Sequence, residues 1–113
     1  MKRRFRLTRS TDFKRVRRLG RSYAHPLVVL ITLPNDTNEL RIGVTASHMI
    51  GHAVQRNRVR RQLKACLDEV LPMLQTGWNI VAVARQPIVD AQFSEIRSGI
   101  TKVLRQAGLL VER

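Results

Sequence analysis

Gly51-His-Ala-Val-Gln-Arg-Asn-Arg-Val-Arg-Arg-Gln-Leu-Lys-Ala-Cys-Leu-Asp-Glu-Val-Leu-Pro72 is the stretch whose reading decides the architecture. Val59, Leu63, Cys66, Leu67 and Val70 recur at helical spacing and form one apolar stripe. At about 100° per residue, Asn57, Arg60, Arg61 and Lys64 project from another side, with Arg56 at the boundary. The spacing predicts a helix that begins near Gly51 to Ala53. It ends just before Pro72, because proline lacks the backbone donor and biases its predecessor away from helix. One side of this helix packs on a core and the other meets a polyanion.

Strand patterns flank the helix on both sides. On its N-terminal side, Leu40, Ile42 and Val44 alternate with Arg41, Gly43 and Thr45. Before them, the β-branched run Leu27 to Leu33 reads as a buried strand, and Pro34 to Asn38 as a turn, so the two strands are expected to form an antiparallel hairpin. On its C-terminal side, Gly77-Trp-Asn-Ile-Val-Ala-Val-Ala-Arg85 is apolar nearly throughout, as an interior strand should be. A first helix is predicted over Thr11 to Leu19, capped by Ser10 or Thr11 and stopped at Gly20, after a basic lead expected to be mobile. A last helix, capped by Asp90 and ended by Gly108, carries the stripe Phe93, Ile96, Ile100, Val103, Leu104 and Ala107. The expected fold is a single α/β domain over residues 1–113, a two-layer sandwich of the α+β kind. Its small mixed sheet is covered mainly on one face by helices.

Charge points to the partner. The 113 residues hold 21 Lys and Arg against 8 Asp and Glu, a formal net charge of +13. Ten of the basic residues lie between Lys2 and Arg21, and five more between Arg56 and Lys64. No acid occurs from Ala53 to Ala65, whereas a merely solvated helix mixes signs to form pairs. Arginine suits such a surface, since its planar guanidinium stays charged and grips phosphate through two parallel hydrogen bonds. Nucleic acid is the expected counterion.

Other chemistries are poorly served. Cys66 is the sole cysteine, which excludes an intramolecular disulfide, and its place on the packing stripe makes it a small buried hydrophobe. His48 and His52 lack a third metal ligand nearby, and no carboxylate cluster suggests a nuclease that holds its own metal pair. No apolar run approaches the roughly 20 residues a membrane helix needs, so a cytoplasmic protein is expected. Size and charge alone also admit a ribosome-assembly protein. A DNA regulator fits less well, because strands precede the basic helix where a helix-turn-helix would need a helix.

The chain resembles the bacterial ribonuclease P protein component. The resemblance rests on Arg56-Asn57-Arg58 within Gly51-x-Ala53-x-x-Arg-Asn-Arg-Val-Arg-Arg-x-Leu-Lys64. It extends to Arg6-Leu7 with Asp12-Phe13-x-x-Val16, to Arg41-Ile-Gly-Val-Thr-Ala-Ser47, and to Asn79-Ile-Val-Ala-Val-Ala-Arg85. It implies an accessory subunit that binds a catalytic RNA and precursor tRNA, in an endoribonuclease that removes the 5′ leader. The RNA performs the chemistry, and Mg2+ is held mainly by RNA phosphates and water. The protein by itself would be a monomer with no bound metal. The resemblance further implies that a left-handed crossover through the motif helix joins two parallel strands, against the usual right-handed rule.

Site residues follow from the same resemblance. Arg56, Asn57, Arg58, Arg60, Arg61 and Lys64 would face the catalytic RNA. Phe13, Arg17, Val29 and Ile31 would line a cleft for the single-stranded leader, with Val29 and Ile31 on one strand face. Spacing alone favours Phe13 as a core residue beside Val16, and the resemblance brings the cleft reading level with it. Two positions depart from the usual pattern: Arg17 stands where many relatives carry an aromatic residue, and His48-Met49 replaces a pair of lysines. With aromatics at only 4% of the chain, charge would do more of the holding than base stacking.

Overall fold

The computed structural model describes residues 1–111. Three helices, α1 (Ser10–Leu19), α2 (Ala53–Val70) and α3 (Phe93–Gln106), accompany four strands, β1 (Arg21–Ala24), β2 (Val28–Pro34), β3 (Leu40–Thr45) and β4 (Trp78–Ala84). The sheet order is β1-β2-β4-β3. β1 and β2 are antiparallel, as are β2 and β4, while β3 and β4 run parallel and are joined through α2.

The expected hairpin between β2 and β3 does not form, because β4 lies between them. The reason is visible in β4 itself, whose Ile80, Val81 and Ala82 are fully buried although they point alternately to opposite faces. A strand apolar on both faces gains most by taking a neighbour on each edge. The short β1 was not foreseen: Arg21-Ser-Tyr-Ala24 has no apolar alternation and is largely exposed, which suits a sheet edge.

Register sorts the side chains into two faces. Ile42, Ile80 and Thr32 share one row, and Val44, Ala82 and Leu30 the next; both face the main core with the apolar stripes of α2 and α3. All five residues of the predicted α2 stripe are buried. Of the helices only α1 covers the opposite face, where Val16 packs with Leu7, Ile31 and Val81, flanked by half-buried Phe13, Val29, Leu33 and Val83. Helices therefore lie mainly, though not solely, on one side.

Helix ends differ from expectation. Arg9 precedes α1 without a side-chain cap, so neither Ser10 nor Thr11 serves. At α3, Gln92 and Glu95 form a reciprocal capping box, and Asp90 instead closes a preceding 3-10 turn, Gln86–Asp90. Gly108, at φ +70°, ends α3 as expected. The basic lead is docked, contrary to the mobile segment expected of its composition. Arg6 bridges Ile42 in parallel, Leu7 N donates to Ile42 O at 2.9 Å, and Leu7 is buried. This segment covers the free edge of β3.

Gly43 on β3 is what lets α1 sit so low, since a side chain there would overlap the Phe13 ring. Gly43→Val is expected to destabilise the fold by about 1 to 3 kcal/mol through overpacking. Removing the ring as well, in Phe13→Ala with Gly43→Val, should cost less than the sum of the two single changes. A denaturation cycle that proved additive would show that the two positions do not compete for space.

Cys66 is 1% exposed, and burial, reinforced by Glu69, pushes its thiol up to about 11. The folded state thus favours the protonated thiol, and its contribution to stability is lost as pH rises from about 9 towards 11. Alkylation at pH 8 is expected to be at least about a hundred-fold slower in the native protein than in the unfolded chain, measured by mass spectrometry. Equal rates would mean that the thiol is not sealed in the core.

Candidate nucleic-acid interface

α2 starts without a side-chain cap at His52 and has no acid in its first turn, so its positive N-terminal end is left unneutralised by the chain. The loop before it is built around Ser47, whose hydroxyl accepts from Met49 N at 3.3 Å, and Gly51, whose φ of +141° favours glycine. Two motif arginines fasten helix and loop together. Arg56 Nη1 donates to His48 Nδ1 at 2.8 Å and to Gly51 O at 3.3 Å, which requires neutral His48 with its proton on Nε2. Arg60 donates to Asn57 Oδ1 at 2.7 Å and reaches Ala46 O at 3.5 Å. His48 thus serves as a hydrogen-bond acceptor that steadies the loop before α2.

The remaining motif side chains are directed outward. Asn57, Arg58, Arg61 and Lys64 are exposed, and Arg58, Arg61 and Lys64 have no hydrogen bond or ion pair among the described residues. Ion pairs among the described residues lie elsewhere: the Met1 ammonium with Asp68, Arg41 with Glu39, and Arg97 with Glu69. Exposed Val54, one turn before Asn57 and Arg58, continues this face as an apolar margin. The six predicted positions therefore divide into a rigid pair, Arg56 and Arg60, and an outward set with Asn57 linking the two. The like charges at Arg56, Arg60 and Lys64 repel at i, i+4, a cost that an external anion relieves.

The four cleft positions all fall at α1 and the sheet face beneath it, but they are not equivalent. Val29 is half-buried at the open side of the groove, and Arg17 is exposed on α1. Phe13 is half-buried against Gly43. Ile31, only 6% exposed beneath α1, belongs to the smaller core and offers little surface. The same row as Val29 supplies two residues that were missed, Val83 and Thr45, both half-buried. Alternation along β4 contains the signal for Val83; the neighbourhood of Thr45 depends on sheet order.

A cavity of about 190 Å3 at the β3 edge is lined by Leu7, Phe13, Gly43, Val44 and Lys64, so α1 and the basic helix approach each other there. Among the described residues no group of three or more His, Cys, Asp or Glu is placed to hold a metal ion. No helix among them is long and apolar enough to cross a membrane.

Known proteins resemble this chain in sequence and in fold. A ribonuclease P protein component of Chloroflexus aurantiacus is 40% identical over 111 residues, covering 97% of this chain and 82% of that protein. Another, from Geobacillus kaustophilus, is 32% identical over 109 residues, covering 96% and 90%. In three dimensions the Staphylococcus aureus RNase P protein superposes with a TM-score of 0.86 at 27% identity, covering 94% of this chain and 97% of that one. The sequence pattern of the family described as Ribonuclease P matches residues 1–108. With the parallel β3-α2-β4 unit and its basic helix already in place, these matches establish that the chain belongs to the ribonuclease P protein family.

Proposed function

We propose that the outward face of α2 binds the catalytic RNA of ribonuclease P, while the groove beside α1 receives the single-stranded 5′ leader of precursor tRNA. The chain is then the RNA-binding subunit of an endoribonuclease acting in tRNA 5′ processing, and its own side chains contribute binding and not bond cleavage. The observation that carries this reading is the unneutralised set Arg58, Arg61 and Lys64 on a helix with no acid from residue 53 to 65. Arg56 and Arg60 hold the loop and helix in register, so the outward cations are presented on a rigid support. Asn57, held by Arg60, positions RNA without adding charge. In the groove, Phe13, Val29 and Val83 offer apolar surface to a base, with Arg17 for the backbone.

Mg2+ required by the complex would be held by RNA phosphates and water, for the described residues bring together no group of three or more His, Cys, Asp or Glu. Neutralising phosphates does part of the cations' work, so the protein should lower the magnesium requirement of its RNA. The test is precursor tRNA cleavage at low magnesium by cytoplasm-like concentrations of protein alone, catalytic RNA alone, and both. Cleavage only in the mixture is expected. Cleavage by purified protein without RNA, or no gain over RNA alone, would refute this division of labour.

A further inference from the structure

α1 crosses the sheet above the row Ile31, Val81 and Gly43, with Phe13 against Gly43 and Gly20 against Ile31. It leaves room on both of its sides. Towards Val29, Val83 and Thr45 lies the apolar groove already described. On the other side, where Leu33, Asn79 and Arg41 form the next row, lies a separate polar cavity of about 360 Å3. That volume is within the range of small-molecule sites, about 300 to 1,000 Å3.

The walls of this cavity are settled and its mouth is not. Glu39 and Arg41 pair at 2.6 Å, and Arg41 also donates to Arg4 O at 2.7 Å, so both are structural. Asn35 Nδ2 donates to Asn79 Oδ1 at 3.1 Å, which leaves the Asn79 NH2 with no internal acceptor among the described residues. The side chains of Arg6, Arg9 and Asp12 line the same cavity, yet neither guanidinium pairs with the carboxylate, and none of the three side chains has another hydrogen-bond or ion-pair partner among the described residues. Opposite charges held around one concavity without touching suit a ligand that is anionic at one end and a hydrogen-bond donor at the other. A bare phosphate would meet the Asp12 carboxylate unfavourably. A nucleotide meets both requirements.

We propose that this cavity seats one unstacked nucleotide of a single-stranded RNA, its phosphate on Arg6 and Arg9 and its base edge on Asp12 and Asn79. Single-stranded bases splayed from a stack are read in this way along their Watson–Crick edges. Asp12 only accepts and the Asn79 NH2 only donates, so the site asks for a base that offers a donor beside an acceptor. All four bases offer such a pair on the Watson–Crick edge, uracil through N3–H beside a carbonyl, so the site asks for an unpaired base edge and not for one base. The cavity would thus add a hydrogen-bonded base contact to a face that otherwise holds RNA by charge and apolar contact. This inference rests on the reading that the α1 face receives single-stranded RNA.

The test uses the reconstituted complex. Thr37 is exposed at the cavity wall and Cys66 is buried, so Thr37→Cys introduces the single accessible thiol for a photo-crosslinker. Crosslinks to labelled precursor leader are expected; crosslinks to labelled catalytic RNA would support the same site with the other RNA as its occupant. A complex that still cleaves precursor tRNA but crosslinks to neither RNA overturns the cavity proposal and spares the broader function. Failure to assemble or cleave with wild-type protein overturns both. In parallel, oligouridine should bind the wild-type protein about five-fold or more tightly than N3-methylated oligouridine, whose Watson–Crick donor is blocked. That preference should vanish in Asp12→Ala. Its absence from the wild type, or its survival in the variant, overturns the assignment.

Discussion

Leu63→Ala is expected to lower the free energy of unfolding by about 2 to 5 kcal/mol, the usual cost of emptying a buried leucine site. Leu63 is fully buried at the centre of the α2 stripe, in the cluster that also contains Ile42, Ile80 and Ile100. It is flanked by Arg60 and Lys64, so the helix turn that fills the core also carries cations. Small domains have about 5 to 15 kcal/mol in total, and a net charge of +13 works against compactness. The variant should therefore be substantially unfolded under conditions in which the parent is folded. RNA should restore it by mass action, because only the folded helix presents its cations in register. Chemical denaturation with and without RNA measures both effects. A loss below about 1 kcal/mol would show that the core does not depend on this position.

The second large effect is electrostatic. Removing Arg58, Arg61 and Lys64 together by alanine substitution should weaken assembly with the catalytic RNA by on the order of 100- to 500-fold at 0.1 M salt. The figure follows from three phosphate contacts, each contributing about 0.7 to 0.9 to the slope of log K against log salt. The slope itself should flatten by about two to three. Stability should change little or rise, because these side chains are exposed, lack internal partners and repel their neighbours. Titrations at several salt concentrations separate this outcome from general loss of affinity. An unchanged slope in a folded variant would place the RNA on another face. Arg56→Ala should also weaken assembly, with the added loss of the His48 contact that braces the loop before α2.

These two predictions draw on the part of the chain that was most legible without coordinates. A helix writes both of its faces into one continuous segment, so Val59, Leu63, Cys66, Leu67 and Val70 could be separated from Asn57, Arg60, Arg61 and Lys64 by periodicity alone. What periodicity could not separate was the role of individual arginines. Arg56 and Arg60 look like their neighbours in sequence, yet they brace the 46–51 loop through His48, Gly51 and Ala46. Those partners come into reach only when β3 and α2 meet.

Strands were legible as strands and illegible as neighbours. Alternation located β2, β3 and β4, and the apolar run of β4 marked it as interior. An interior β4 in a three-strand pattern already requires β2 and β3 to lie on either side of it. The expected hairpin conflicted with that requirement, and long-range burial prevailed over the local turn. β1 escaped notice because a short polar edge strand gains its order from pairing with β2 and not from its own side chains. Ile31 was placed on the correct face but under α1, a distinction that alternation does not encode.

By itself, then, the sequence determined the identity of the elements, the buried stripe of α2, the basic character of its other face and the kinship that its Arg56-Asn57-Arg58 motif carries. These are properties of residues a few positions apart, governed by fixed backbone periods and by charge. Only the tertiary structure decided which strands adjoin, how α1 divides its face into an apolar groove and a polar cavity, and which cations are left without partners. Those outcomes depend on contacts between distant segments, whose energies are settled by packing and by the completion of hydrogen bonds across the whole fold.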